Sequence, residues 1–450
     1  MFRVGGNPVS VRRPLHSRAK TSSQTVTRPS LAKPLLVASA LLFVSAPSYA
    51  AVYYVHPSGS NTASGKSPGS AWRNINYAVG THSPVRAGDE IRVAAGIYSE
   101  NIDIKKSGTA AQPLLIKGVG NVVVKDPSPN SGNGEGVVDI IGVKHVVIEN
   151  IAVEDAYFYG FAIRGSDSIT LRQVRTSNTG ASGVFAARRN GIRSSNIKVL
   201  NSEVSKSCYI FYQTGQGGQE AISMLSVDGF EIAYNKVYGG RKEGIDAKSS
   251  SRNGSIHHNT VSDQARVGIY VDGLGGEARN ISVYNNLVYR NAHGIVIGNE
   301  GRGHTADVRV YNNVVYSNRN RGISIAAWGP GPDHDIDNVQ LVNNTVTKNG
   351  GSGILMDNPQ ATNVLIRNNI AYANAGRTFN QVRVTKGRAV VERNLVTDPR
   401  FRNPAWSDFS LQYNSPAIDA GIEAYAPATD FDGKRRPQGA GPDIGAYEVR

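Results

Sequence analysis

Between residues 220 and 293 the chain carries Glu220, Glu243, Asp246, Lys248, His257, Arg266, Tyr270, Asp272 and His293, side chains that can move a proton or hold a cation. They are densest in residues 242 to 273, KEGIDAKSSSRNGSIHHNTVSDQARVGIYVDG. A lysine set among acids matches the needs of β-elimination on a uronic-acid polymer. That reaction neutralises the sugar carboxylate, removes the adjacent proton and protonates the departing oxygen. Lysine accepts a proton near neutral pH only when its pKa is lowered, and a nearby divalent cation or arginine does this by disfavouring the ammonium. Glu243, Asp246 and Glu220 are hard oxygen donors of the kind Ca²⁺ takes, and the ion would also hold the substrate carboxylate. Tyr270 or Arg266 is the candidate acid beside Lys248, and Asp272, His293 and His257 are candidate substrate contacts. The competing expectation is a surface ion pair around Lys248, which contributes little.

These residues sit on a repeat. Gly244-Ile245 recurs as Gly268-Ile269, Gly294-Ile295, Gly322-Ile323 and Gly353-Ile354, in steps of 24, 26, 28 and 31 residues, and such a period implies a solenoid. After each glycine one phase is apolar: Ile245/Ala247, Ile269/Val271, Ile295/Ile297, Ile323/Ile325 and Ile354/Met356. Period-two alternation of this kind marks a strand with one buried face. The opposite phase, Asp246 and Lys248 on one coil and Tyr270 and Asp272 on the next, therefore points outward. Equivalent strands stack about 4.8 Å apart and alternate residues lie about 6.7 Å apart, so these groups share one patch. Further along, the same columns read Val296/Gly298, Ser324/Ala326 and Leu355/Asp357. Glu220-Ala221-Ile222-Ser223-Met224 aligns with Glu243-Gly244-Ile245-Asp246-Ala247, which stacks Glu220 on Glu243.

The coils end in asparagines, Asn150, Asn201, Asn235, Asn259, Asn286, Asn313, Asn344 and Asn369. Asn tolerates left-handed backbone, and its amide bonds both within a turn and to the next coil, so these read as a structural ladder. Short strands with Asn and Gly corners make the expected fold all-β, a right-handed parallel β-helix. Residues 51–121 are read as an N-terminal cap and first coils, with a short helix near Trp72 to Val79 and strands at Glu90 to Val93, Ile102 to Ile104 and Leu114 to Lys117. Residues 122–397 are the repeats. Residues 398–450 are rich in proline, which suits inner strands poorly, and are expected to cover the last coil.

Residues 34 to 47, PLLVASALLFVSAP, follow basic residues and precede Ser48-Tyr49-Ala50. This reads as a secretory signal within residues 1–50, cut after Ala50, and implies a secreted or periplasmic protein with no stable membrane insertion. The leader holds seven Lys or Arg and no acid, so its loss lowers the formal charge from +14 to +7. No clustered basic stripe or nucleic-acid module is present, which argues against a nucleic-acid partner. Mild basicity fits an acidic polysaccharide. With a single cysteine, Cys208, no intramolecular disulfide is possible, and the expected state is a monomer held by burial.

The N-terminal YYVHPSGS, AGDEIRVAAGIYSENI and SGTAAQPLLIKG, the Asn-laddered coils and the closing SPAIDAG and DIGAYE resemble polysaccharide lyase family 9, which includes pectate lyases. Locally, EGIDAKSSSRNGSIHHNTV resembles the E-x-x-x-x-K-S-S stretch of polysaccharide lyase family 6, and this resemblance implies a calcium-binding glutamate at Glu243 and a lysine base at Lys248. The chain departs from both patterns. Val271-Asp272-Gly273 stands where family 6 has an arginine acid, and Arg266-Val267-Gly268 replaces the paired Asp-Asp-Gly of family 9. The expected activity is a polysaccharide lyase, with three alternatives: a non-catalytic exopolysaccharide-binding β-helix, a glycoside hydrolase, or a C5-epimerase. The last rests on a faint likeness of WGPGPDHDID at 328 to 337 to the D-P-H-D motif of alginate epimerases. Mass spectrometry of the exported protein should find an N-terminus at Ala51, and retention of residues 34 to 47 would contradict the signal assignment.

Overall fold

Alternating apolar residues at these spacings fold into stacked coils. The computed structural model describes residues 50–128, 135–211, 220–329, 334–375 and 381–449. The leader to residue 49 and residues 212–219 are among those outside the described residues. One wall of the solenoid is a sheet of eleven strands, from Ile102–Ile104 to Val382–Val384. Its central members are Ile222–Leu225, Ile245–Lys248, Val267–Asp272, His293–Gly298, Ile323–Ala326 and Ile354–Met356, each paired in parallel with the next. The remaining coil strands form a larger parallel sheet of twenty-two strands. The expected short helix is Ile75–Val79. The first predicted strands are present but longer, Glu90–Ser99 and Leu114–Lys125. Toward the C-terminus Phe401–Asn403 and Asp408–Leu411 form an antiparallel pair. The fold is a right-handed parallel β-helix, and among the described residues no helix is long and apolar enough to cross a membrane.

The interior column is as the repeat predicts: Ile245, Ile269, Ile295, Ile323 and Ile354 are in consecutive register and fully buried. The glycine before each isoleucine has a packing reason. A Cβ on Gly244 would lie 2.6 Å from the carbonyl oxygen of Gly268, so the corner closes only without a side chain. The outward residue following each isoleucine is then held at a fixed height.

The asparagine ladder starts later than its sequence pattern implied. From Asn235 through Asn259, Asn286, Asn313, Asn344 and Asn369 to Asn394, each Nδ2 donates to the next Oδ1 at 2.9–3.0 Å. Asn150 and Asn201 are not rungs. They take left-handed backbone, with φ of 54° and 50°, at the residue before the ladder position, where Ile151 and Ser202 stand. A second ladder runs Asn291, Asn318, Asn349, Asn374 and Gln381. Its signal was in the sequence: in four successive coils a second asparagine follows the first by five residues, as in Asn286 and Asn291. Stacking turns amides that would be costly to bury into satisfied pairs. Ile295→Ala should cost about 2 to 5 kcal/mol through lost burial and a residual cavity, read by chemical denaturation. A cost under about 0.5 kcal/mol would mean that the column is not close-packed.

Candidate active site

Parity and register bring together most of the residues singled out above. Asp246 and Lys248 leave the outer side of Ile245–Lys248, with Ser223 and Tyr270 beside Asp246 and Leu225 and Asp272 beside Lys248 on neighbouring coils. Glu220 and Glu243 occupy the corner just before these strands, linked where the Ala221 N–H donates to the Glu243 carbonyl at 2.9 Å. Arg266 reaches Glu243 at 3.4 Å from a largely exposed position. His293 lies on the same wall, one coil beyond Tyr270. His257 is not part of this group. It belongs to Arg252–His257 in the larger sheet, stacks on Tyr284 at 4.7 Å and faces Glu231 at 3.5 Å. Its substrate-contact assignment is therefore corrected: spacing alone gave no information about which wall a histidine joins.

The outward residues are not an open patch. Asp246, Tyr270 and Asp272 are each 2% exposed, which changes their electrostatics. Lys248 Nζ lies 2.5 Å from Glu220 Oε1 and 3.7 Å from Asp246 Oδ2, and Ser223 Oγ donates to Glu220 Oε2 at 2.7 Å. Burial opposes the Lys248 ammonium, but the charges of Glu220 and Asp246 outweigh it and its pKa is raised. The lowering that a lysine base needs is therefore not what these neighbours produce. Burial also opposes ionised Glu220, yet Lys248 leaves its carboxyl below the usual value. Burial pushes Asp246 well above its usual range and raises Glu243. Asp272, raised by burial and then by Glu300, comes to about 7. Asp246 Oδ1 is buried with no hydrogen-bond partner among the described residues.

A calcium ion fits this donor set poorly. Glu220 and Asp246 already face the ammonium, and among the described residues no three His, Cys, Asp or Glu side chains converge as a metal cage.

Sequence reasoning missed Glu300, Trp328 and Arg321. The Tyr270 hydroxyl donates to Glu300 Oε1 at 3.3 Å, and the Glu300 N–H donates to Asp272 Oδ1 at 3.1 Å. Trp328 packs on Tyr270, with ring centroids 5.7 Å apart. Gly298 makes room for Tyr270, whose hydroxyl would lie 2.7 Å from a Cβ there. On the N-terminal side the same wall bears Phe158, Tyr159, Phe185 and Phe211 in ring contact. Beyond them is a cleft of about 610 Å³ lined by Asp103, Asp139, Tyr157 and Phe158 among others. Of WGPGPDHDID, residues 330–333 lie outside the described residues, and the His334 ring bonds the Asn299 carbonyl at 2.7 Å.

Glu220→Gln would leave a buried ammonium short of its closest counter-charge, and removing one partner of a buried pair costs about 3 to 5 kcal/mol. Because the folded-state pKa of Glu220 is depressed, its contribution is present above the unfolded carboxylate value and lost as pH falls through the folded one. The stability gap between Glu220→Gln and the unaltered chain should therefore be full at neutral pH and shrink below about pH 4. A pH-independent gap would contradict the pairing.

Comparison with known proteins agrees with this architecture. The family model described as "Right handed beta helix region" matches residues 207–334. No relative was found among curated protein sequences. Among solved structures, the pectate lyase Pel9A is similar with a TM-score of 0.60 at 17% identity, over 89% of this chain and 96% of that one. A GH136 lacto-N-biosidase from Eubacterium ramulus has a TM-score of 0.53 at 11% identity, over 77% of this chain and 67% of the other. A rhamnogalacturonan lyase has a TM-score of 0.51 at 14% identity, over 78% and 90%. At these identities the likeness is one of fold: the chain is a right-handed parallel β-helix built like those of several carbohydrate-cleaving enzymes.

Proposed function

We propose that the chain is an exported enzyme that cleaves an acidic, uronate-containing polysaccharide by β-elimination at the Lys248 cluster. The observation that carries this reading is a lysine ammonium between Glu220 and Asp246 on the outer face of the wall, with Asp272 and Tyr270 on the adjoining coil. Two lyases and a glycosidase among the fold relatives support a carbohydrate substrate.

The electrostatics divide the roles among protein groups. Lys248, held as a cation, is placed to meet the sugar carboxylate and stabilise the charge that builds when the adjacent proton leaves. Asp272, with a pKa of about 7, suits the base, because proton transfer is most efficient near the working pH. Asp246, its pKa pushed well above the usual range by burial, is the proton donor to the departing glycosidic oxygen, with the Tyr270 hydroxyl as the nearby alternative. The proton adjacent to the carboxylate passes to Asp272, the electron pair forms the ring double bond, and the departing oxygen leaves protonated. Arg266, exposed at the rim beside Glu243, is suited to guiding the anionic chain inward.

A second reading has one observation in its favour. The carboxyls of Glu220, held below its usual value, and Asp246, pushed well above its own, have pKa values driven apart, as an acid and its partner in glycoside hydrolysis require. Incubation with polygalacturonate, alginate and glucuronan separates the two: elimination yields an ultraviolet-absorbing unsaturated uronide, whereas hydrolysis yields new reducing ends without it. We expect unsaturated product and a rate that rises with pH through about 7 as Asp272 ionises. Asp272→Asn should remove that rise and lower the rate by about 100-fold or more. Reducing ends without unsaturation would replace the lyase with the hydrolase.

A further inference from the structure

Two to four coils beyond Lys248, centred on the third, the same wall carries a second set of polar groups with unfilled bonding capacity. Arg321 stands immediately before Gly322-Ile323, as Glu243 stands before Gly244-Ile245, and the Gly294 N–H donates to its carbonyl at 3.0 Å, which places it beside His293. Ser324 leaves the outer side of the next strand, in register with Val296 and Leu355. Arg321 Nη2 pairs with Asp357 Oδ2 at 2.9 Å. The other atoms of that pair, Arg321 Nη1 and Asp357 Oδ1, have no hydrogen-bond partner among the described residues, and neither do Ser324 Oγ and His293 Nδ1. Ser324 is fully buried. Orphaned buried polar atoms are uncommon singly, and four on one stretch of wall need an explanation. Trp328 adds an apolar face, its ring 5.1 Å from His293 and 5.7 Å from Tyr270.

The four atoms match one chemical class. Arg321 Nη1 and the Ser324 hydroxyl are donors suited to a carboxylate, and Asp357 Oδ1 is an acceptor suited to a hydroxyl. A tryptophan beside them suits the apolar face of a sugar ring. We propose that Arg321, Ser324 and His293, beside Trp328, form a carboxylate-recognising subsite that holds one uronate of the chain while another lies at Lys248. At about 4.8 Å per coil the two places are roughly 14 Å apart, so the subsite grips the polymer several sugars from the bond that breaks. Burial, with Arg321 and Arg319 nearby, takes the His293 pKa down to about 4, so its ring is neutral at neutral pH and its free nitrogen adds no charge. This inference rests on the acidic-polysaccharide reading of the previous subsection, but concerns binding rather than bond cleavage.

Isothermal titration with oligogalacturonate and oligomannuronate, each beside its methyl-esterified form, tests it. The unaltered protein should bind at least one free acid, and Arg321→Gln should weaken that binding about 10-fold or more, through loss of a charge-assisted hydrogen bond. The esterified probe should bind no better than the acid binds to Arg321→Gln. If Arg321→Gln fails to fold, as judged by its melting transition, Ser324→Ala decides, with an expected weakening of about threefold or more. Unchanged affinity in the folded variant, equal affinity for acid and ester, or no binding of either acid would each overturn the subsite. Product formation is read separately: binding without elimination would sink the lyase and leave the subsite standing, while elimination without the Arg321 effect would do the reverse.

Discussion

Successive coils hydrogen-bond in parallel register at a fixed spacing, and every other feature of the molecule follows from that constraint. A strand in such a stack has only two faces. Once Ile245 and its equivalents are committed to the interior, Asp246, Lys248, Tyr270 and Asp272 must leave on the opposite side at heights set by the ladder. The asparagine ladders enforce the same spacing at the corners, where each buried amide bonds both the coil before it and the coil after it. The glycine corners close at contact distance to the next coil's backbone. Small shifts at the site are thereby resisted, and groups with strongly opposed charge preferences are held within reach of one another.

That rigidity explains how one short stretch of wall shifts neighbouring acids in opposite directions. Glu220 is held below the usual carboxylate range because Lys248 outweighs its burial, whereas Asp246 is pushed well above that range because burial outweighs a weaker approach to the same ammonium. Asp272 comes to about 7 because Glu300 adds a like charge to its burial. Equivalent carboxyls on a mobile surface would relax into water, and their pKa values would converge on ordinary values. Alternate positions of two adjacent strands thus hold a lysine and two acids, each shifted from its ordinary pKa by its surroundings.

Much of the fold was legible from the chain, because period-two alternation and a glycine-isoleucine repeat are direct consequences of stacking. The stacking of Glu220 beside Glu243 was legible for the same reason, since aligning the repeats aligns the coils, but the ion pair of Glu220 with Lys248 was not. What the sequence did not show depends on the third dimension. The near-complete burial of Asp246 and Asp272 reverses the expectation of an open patch, and the raised pKa of Lys248 reverses the lowering that a base requires. His257 was grouped with the site by proximity in sequence, but a turn carries it to another wall. Asn150 and Asn201 have the residue type of a rung but occupy the left-handed corner one position earlier. Arg321 was recoverable in principle, because it fills the position before Gly-Ile that Glu243 fills.

The central claim is that the buried Lys248 ammonium drives the chemistry by its charge. The most direct measurement compares formation of unsaturated uronide by the unaltered protein, Lys248→Ala and Lys248→Arg, each shown to be folded. The account predicts a loss of about 100-fold or more for Lys248→Ala, the scale of removing one preorganised stabilising group, and partial retention in Lys248→Arg, which keeps the positive charge. Full activity in Lys248→Ala would contradict the account outright, and an arginine variant as inactive as the alanine one would return the proton-abstracting role to the lysine itself.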